Sequence, residues 1–265
     1  MRLNPEYAPA YYNCGNAYRH KGDDDRAIAD YDQAIRLDPD NAATTVAKAY
    51  NNRGNAYDDK GDIDRAVADY DEAIRIDPKY APAYYNRRFV YAGKGDYDRA
   101  IADYSEAIRL NPKYAEAYYN RGLAYAANGD YERAIADFTQ AIRLNPEGAK
   151  AYSNRGAGYG RKGDYDRAIA DYDEAIQLDP EYVDAYYNRG LTYAKKSDYD
   201  QAIADCSQAI QLDPEYAEAY AIRGSMYYFK GDYRRTRADW EQALRLDPGN
   251  VDVRNVLEAL RQAGY

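Results

Sequence analysis

Apolar and small residues recur along this chain in two alternating helical stripes. Between Ala115 and Gly148 the first stripe is Ala117, Tyr118, Gly122 and Tyr125. Spacings of three, four and seven place these side chains on one face of a helix. The second stripe is Ala134, Ile135, Phe138, Ala141 and Ile142. Between the stripes lies Asn128-Gly129-Asp130. Gly129 suits the left-handed residue that ends a helix, and Asp130 suits the N-cap of the next. Asn145-Pro146 stops the second helix, because proline disfavours helical backbone in the residue before it. The stretch is therefore a helix hairpin, and Gly122 and Ala134 are small enough to let its helices lie close.

Almost everything else repeats this pattern. Pro39, Pro78, Pro112, Pro146, Pro180, Pro214 and Pro248 end successive copies, 34 residues apart except for 39 between Pro39 and Pro78. A fixed period of this size means stacked repeats, each burying its stripe against its neighbours. The repeats run 8–41, 47–80, 81–114, 115–148, 149–182, 183–216 and 217–250. Residues 1–7 match the tail of a preceding repeat that is mostly missing, so the chain reads either as a natural start or as a fragment of a longer array. Residues 251–265 form a lone helix suited to cap the end. The extra residues Ala42 to Val46 are expected to extend the first helix of the second repeat.

At these residues the chain resembles the tetratricopeptide repeat (TPR) family. Within Ala115–Gly148 the match falls on Tyr118, Gly122, Tyr125, Ala134, Phe138, Ala141 and Pro146; Arg121 departs, standing where the family has leucine. The resemblance implies an all-α fold, a right-handed superhelical α-solenoid whose concave groove takes a protein or peptide partner, with no enzymatic activity and no cofactor.

Numbering each repeat from 1, position 6 carries Asn13, Asn52, Asn86, Asn120, Asn154 and Asn188, a series that breaks at Ile222. Position 6 lies off the buried stripe, and the family resemblance turns it toward the groove. An amide both donates and accepts, which matches the paired N–H and C=O of an extended peptide. The alternative is that these amides bond within the scaffold. Tyr12, Tyr85, Tyr119 and Tyr187 at position 5 flank the series; their flat faces suit either gripping a ligand or packing between helices. The peptide-binding candidates are these ten residues.

Two further series are expected to be structural. Arg53, Arg87, Arg121, Arg155, Arg189 and Arg223 fill position 7, and Asp30, Asp69, Asp103, Asp137, Asp171, Asp205 and Asp239 fill position 23. Each arginine is expected to pair with an aspartate of an adjacent helix. Arg88 stands at position 8, where the other repeats have glycine, so it is expected to point out or to push its helices apart. In the last repeat Thr236 and Arg237 weaken the stripe.

Composition narrows the function further. A net charge of −9 over 265 residues argues against a nucleic-acid surface. No apolar run reaches membrane-spanning length and no signal peptide is visible, so a cytoplasmic location without membrane contact is expected. Cys14 and Cys206 sit in distant repeats and are expected to pack as thiols rather than pair. Gly158, Gly160 and Gly163 fit a nucleotide-loop spacing, but no strand precedes them; they are expected to soften a helix. Acid pairs such as Asp164 and Asp166 are expected to be a cap and a first-turn acid rather than metal ligands. His20 is the lone histidine. The arrangement of basic residues that clamps chaperone tails in some TPR proteins is absent, with Tyr12, Pro82 and Asn86 in its place. Two other readings remain open: self-assembly through an uncapped N-terminal repeat, and the targeting region of a larger enzyme.

Overall fold

The computed structural model describes residues 7–37, 43–93 and 95–263. Among them are fifteen helices and no strand. In order they are α1 (Ala8–His20), α2 (Asp24–Leu37), α3 (Ala43–Asp59), α4 (Ile63–Ile76), α5 (Ala81–Gly93), α6 (Tyr97–Leu110), α7 (Ala115–Ala127) and α8 (Tyr131–Leu144). They continue with α9 (Ala149–Arg161), α10 (Tyr165–Leu178), α11 (Val183–Lys195), α12 (Tyr199–Leu212), α13 (Ala217–Phe229), α14 (Tyr233–Leu246) and α15 (Val251–Gln262). The chain forms two compact units, Met1–Asp130 and Tyr131–Tyr265. In the first, the first helices of successive repeats adjoin, α1 against α3 and α3 against α5. In the second, α9 adjoins α11 and α11 adjoins α13.

Local chemistry sets the helix ends. Asp62, Asp96, Asp164, Asp198 and Asp232 cap their helices by accepting from the backbone N–H three residues on. Asp166, in the first turn of α10, pairs with Lys196, so the acid pair has structural work on both members. The preceding turn residue is a glycine with φ between 74° and 83° in six repeats; Ser197, at φ 62°, is the exception. That conformation costs an L-residue roughly 1–2 kcal/mol. α3 has 17 residues against 13 in the other first helices, because Ala43 to Val46 continue it toward the N-terminus. Ala42, Pro39 and the expected repeat tail at residues 1–6 lie outside the described residues.

The packing of each hairpin turns on position 8. A Cβ on Gly54 would stand 2.7 Å from Cε1 of Tyr70, and one on Gly224 would stand 2.6 Å from Cδ1 of Trp240. Only glycine admits those rings. Arg88 meets this constraint differently from expectation. It neither points out nor faces solvent: it is fully buried, its Cζ 3.2 Å from the Tyr85 ring centroid and 4.1 Å from that of Tyr104. A flat guanidinium on a flexible stem can slide between rings where a branched side chain cannot. Burial pushes its pKa down.

Gly158 also has a packing role. A Cβ there would lie 2.9 Å from Cγ1 of Ile135, so the glycine lets α8 and α9 touch. Cys14 and Cys206 are both thiols, and burial pushes Cys206 up to about 12. In the last repeat Thr236 is fully buried and returns its hydroxyl to the Asp232 carbonyl. Trp240 donates Nε1–H to the Ala221 carbonyl at 3.1 Å. α15 buries Val253, Leu257 and Leu260 against Trp240 and Ala243, and exposes Asp252, Arg254, Glu258 and Arg261.

Candidate functional site

The arginines at position 7 form two sets of bonds. Within the repeat, Arg53, Arg155, Arg189 and Arg223 each grip both carboxylate oxygens of the position 23 aspartate: Asp69, Asp171, Asp205 and Asp239, at 2.6–2.8 Å. Arg87 holds Asp103 in the same two-pronged way. The second set reaches back to position 25 of the preceding repeat. Arg53 binds Asp32 at 2.5 Å, Arg87 binds Asp71 at 2.6 Å, and Arg189 binds Asp173. Arg121, Arg155 and Arg223 donate instead to the hydroxyls of Ser105, Thr139 and Ser207, at 2.9, 3.3 and 3.0 Å. Burial pulls the Asp69, Asp103 and Asp205 carboxyls upward against the opposing arginines. These pairs are largely enclosed structural ties. The first repeat has Cys14 where the others have arginine, and Asp30 is raised by burial.

The asparagine series behaves differently. In the first compact unit, Asn52 donates Nδ2–H to Oδ1 of Asn16 at 2.8 Å and to the Tyr12 hydroxyl at 3.2 Å. Asn86 donates to Oδ1 of Asn51 at 2.9 Å, and Asn51 donates in turn to Oδ1 of Asn52 at 3.0 Å. Tyr31 adds its hydroxyl to Asn16. Asn120 donates to the Tyr85 hydroxyl at 3.2 Å and to the Glu116 carbonyl at 2.7 Å. Asn13 is exposed. In the second unit Asn154 donates to the Lys150 carbonyl at 2.9 Å, and Asn188 sits half-buried on α11. Each of the donors Asn52, Asn86, Asn120 and Asn154 thus has a scaffold acceptor for its amide nitrogen, while the side chain stays partly open to solvent.

Of the flanking tyrosines, Tyr12 lies 6.1 Å from Tyr31. Tyr85 stacks on Tyr114 at 4.6 Å, and Tyr187 lies on Tyr216 at 5.0 Å. Tyr119 is half-buried on α7. Tyr114 and Tyr216 occupy position 34, in the turn between repeats. The helical stripes say nothing about that position; the recurrence of tyrosine at 80, 114, 182 and 216 is the signal that could have marked it.

Two clefts accompany these rows. One, of about 480 Å³, is lined by Asn16, Arg19, His20, Tyr31, Asn52 and Asp59. Arg19 pairs with Asp59 at 2.9 Å across it. The other, of about 380 Å³, lies among α13, α14 and α15 and includes Tyr228, Phe229 and Trp240. Leu123, Tyr228 and Phe229 on first helices are exposed. Among the described residues no group of three His, Cys, Asp or Glu could hold a metal, and no helix is long and apolar enough to cross a membrane.

Tetratricopeptide repeat profiles match residues 8–41, 47–80, 115–147, 183–216 and 217–250, and a TPR repeat profile matches 90–129 and 159–197. The chain belongs to the tetratricopeptide repeat family. Its fold is the all-α repeat fold of that family. Among solved structures it is similar to YrrB, described as a TPR protein with an unusual peptide-binding site. That match has 27% identity and a TM-score of 0.64, covering 71% of this chain and 95% of YrrB. It is similar to MamA from Desulfovibrio magneticus RS-1, at 25% identity and a TM-score of 0.60, covering 65% of this chain and 97% of that one. A tetratricopeptide repeat protein from Parabacteroides merdae shares the fold at 22% identity and a TM-score of 0.66, covering 96% and 98%. No curated protein matches the chain.

Proposed function

We propose that this protein is a non-enzymatic interaction scaffold that takes an extended peptide segment of a protein partner along its first helices. The observation that carries this reading is the state of the asparagine row. The amide nitrogens of Asn52, Asn86 and Asn120 are tethered to neighbouring polar groups across repeat boundaries. Tethering fixes the orientation of each amide before a ligand arrives, which lowers the entropy lost on binding. The carbonyl oxygens of Asn86 and Asn120 then serve as acceptors for peptide N–H groups, each bond contributing about 1 kcal/mol, while that of Asn52 already accepts from Asn51. This refines the two-way pairing expected from amide chemistry alone. Tyr85 is packed between Tyr114 and the Arg88 guanidinium, so the flat face beside the series falls to Tyr187, backed by Tyr216 and next to Asn188. The peptide-binding site described for YrrB, a relative of the same repeat family, supports the same class of ligand.

The test is a selection of displayed random peptides on the whole chain, run beside an Asn120→Ala, Asn154→Ala variant. Peptides enriched on the native chain and lost from the variant are expected. Enrichment that survives both substitutions would remove the row from the mechanism.

A further inference from the structure

We propose that the junction between the third and fourth repeats, α6 against α7, is where the array opens first. Two ionic rungs recur where one repeat meets the next. One runs from the position 7 arginine to position 25 of the preceding repeat. The other runs from the lysine at position 14 to the acid at position 18 of the preceding repeat. Where the first repeat meets the second, both are ionic: Arg53 with Asp32, and Lys60 with Asp25. The fifth and sixth repeats likewise have Arg189 with Asp173 and Lys196 with Asp166. The fourth and fifth repeats keep Lys162 with Glu132, and the sixth and seventh keep Lys230 with Asp200.

Between the third and fourth repeats both rungs have lost a charge. Ser105 stands where aspartate would be and accepts from Arg121 at 2.9 Å. Asn128 stands where lysine would be and donates to Asp98 at 3.3 Å. Among the junctions whose two rungs are described, it alone has neither rung ionic. Hydrogen bonds with one neutral partner are weaker than those between two charged groups.

Another feature falls at the same place. The apolar cluster that bridges this junction, including Tyr104, Ile108 and Ala117, also receives the buried guanidinium of Arg88. Opening here parts α6 from the helix that carries Tyr119 and Asn120. Cooperative opening of such limited elements is read by native-state hydrogen exchange. The inference stands on the junction's own contacts and does not depend on the peptide reading.

The experiment compares amide exchange in α7 and α11 on the full chain under native conditions. α7 is expected to exchange faster than α11. The variant Ser105→Asp, Asn128→Lys restores both rungs and is expected to slow α7 by roughly fivefold or more, the equivalent of a gain near 1 kcal/mol. The mirror variant Asp173→Ser, Lys196→Asn is expected to quicken α11 by a similar factor. Added salt, which screens exposed ions, is expected to quicken α11 and leave α7 nearly unchanged. An α7 that exchanges as slowly as α11 in the native chain would overturn the proposal. So would an α7 rate unmoved by the restoring variant in a chain that remains folded.

Discussion

Asparagine at position 6 and arginine at position 7 are neighbours in sequence, recur six times each, and are used differently by the fold. The arginines spend their donors. Arg189 grips both oxygens of Asp205 and reaches Asp173 as well, with four-fifths of its side chain enclosed. Asn86 and Asn120 spend the amide nitrogen and stay partly open to solvent, Asn120 through Tyr85 and Glu116, whereas Asn52 uses both ends of its amide. Recurrence alone therefore does not separate scaffold from binding surface. What separates them is how much hydrogen-bonding capacity the fold has already consumed.

The largest way to break the comparison is to raise pH. Burial pushes Tyr31, Tyr80 and Tyr114 up to about 12. An unfolded tyrosine titrates near 10, so the unfolded chain releases these protons first. Their contribution to stability is complete below pH 10 and declines as pH rises from 10 to 12. Ionised Tyr31 also loses the proton it donates to Asn16, at the root of the Asn16–Asn52 network. Tyrosinate absorbance and circular dichroism are expected to change together across that window; tyrosines that ionise fully while the helices persist would contradict this.

Arg189→Ala comes next. It strands the buried Asp205 carboxylate, and a loss of about 3 kcal/mol is expected in denaturant melts. Arg88→Gly sharpens the point from the other side, since this arginine fills a glycine position rather than a pairing position. Removing a buried charge is expected to stabilise by about 1–3 kcal/mol, measured in the same melts. Ser197→Gly relieves the left-handed serine and is expected to add about 1 kcal/mol. Lys230→Ala, which cuts an exposed rung to Asp200, is expected to change stability by less than about 1 kcal/mol.

Much of this was legible in the sequence. The stripes gave the helix pairs. The aspartate before each second helix gave its cap, and the matched rows at positions 7 and 23 gave the bidentate pairs. What stayed hidden depends on how one repeat sits on the next. The second arginine partner lies at position 25 of the preceding repeat, where aspartate, serine and threonine alternate; only the stacking shows that all three are acceptors for one guanidinium. Tyr114 and Tyr216 lie in turns, where helical periodicity has nothing to report. Arg88 was expected to face outward or to splay its helices, because the sequence does not reveal that Tyr85 and Tyr104 leave a flat slot. The close approach of Ile135 to Gly158 likewise depends on how α8 sits on α9. For the asparagines, the sequence left scaffold and ligand bonding as alternatives, and the structure gives the amide nitrogens of Asn52, Asn86, Asn120 and Asn154 scaffold acceptors.

The most direct measurement is a pair of numbers on one variant: the stability of Asn120→Ala and its affinity for a peptide selected on the native chain. Stability within about 1 kcal/mol of the native chain with affinity reduced at least fivefold is the expected result. Affinity unchanged while stability falls by several kcal/mol would contradict the account, placing the asparagine row with the arginines as scaffold.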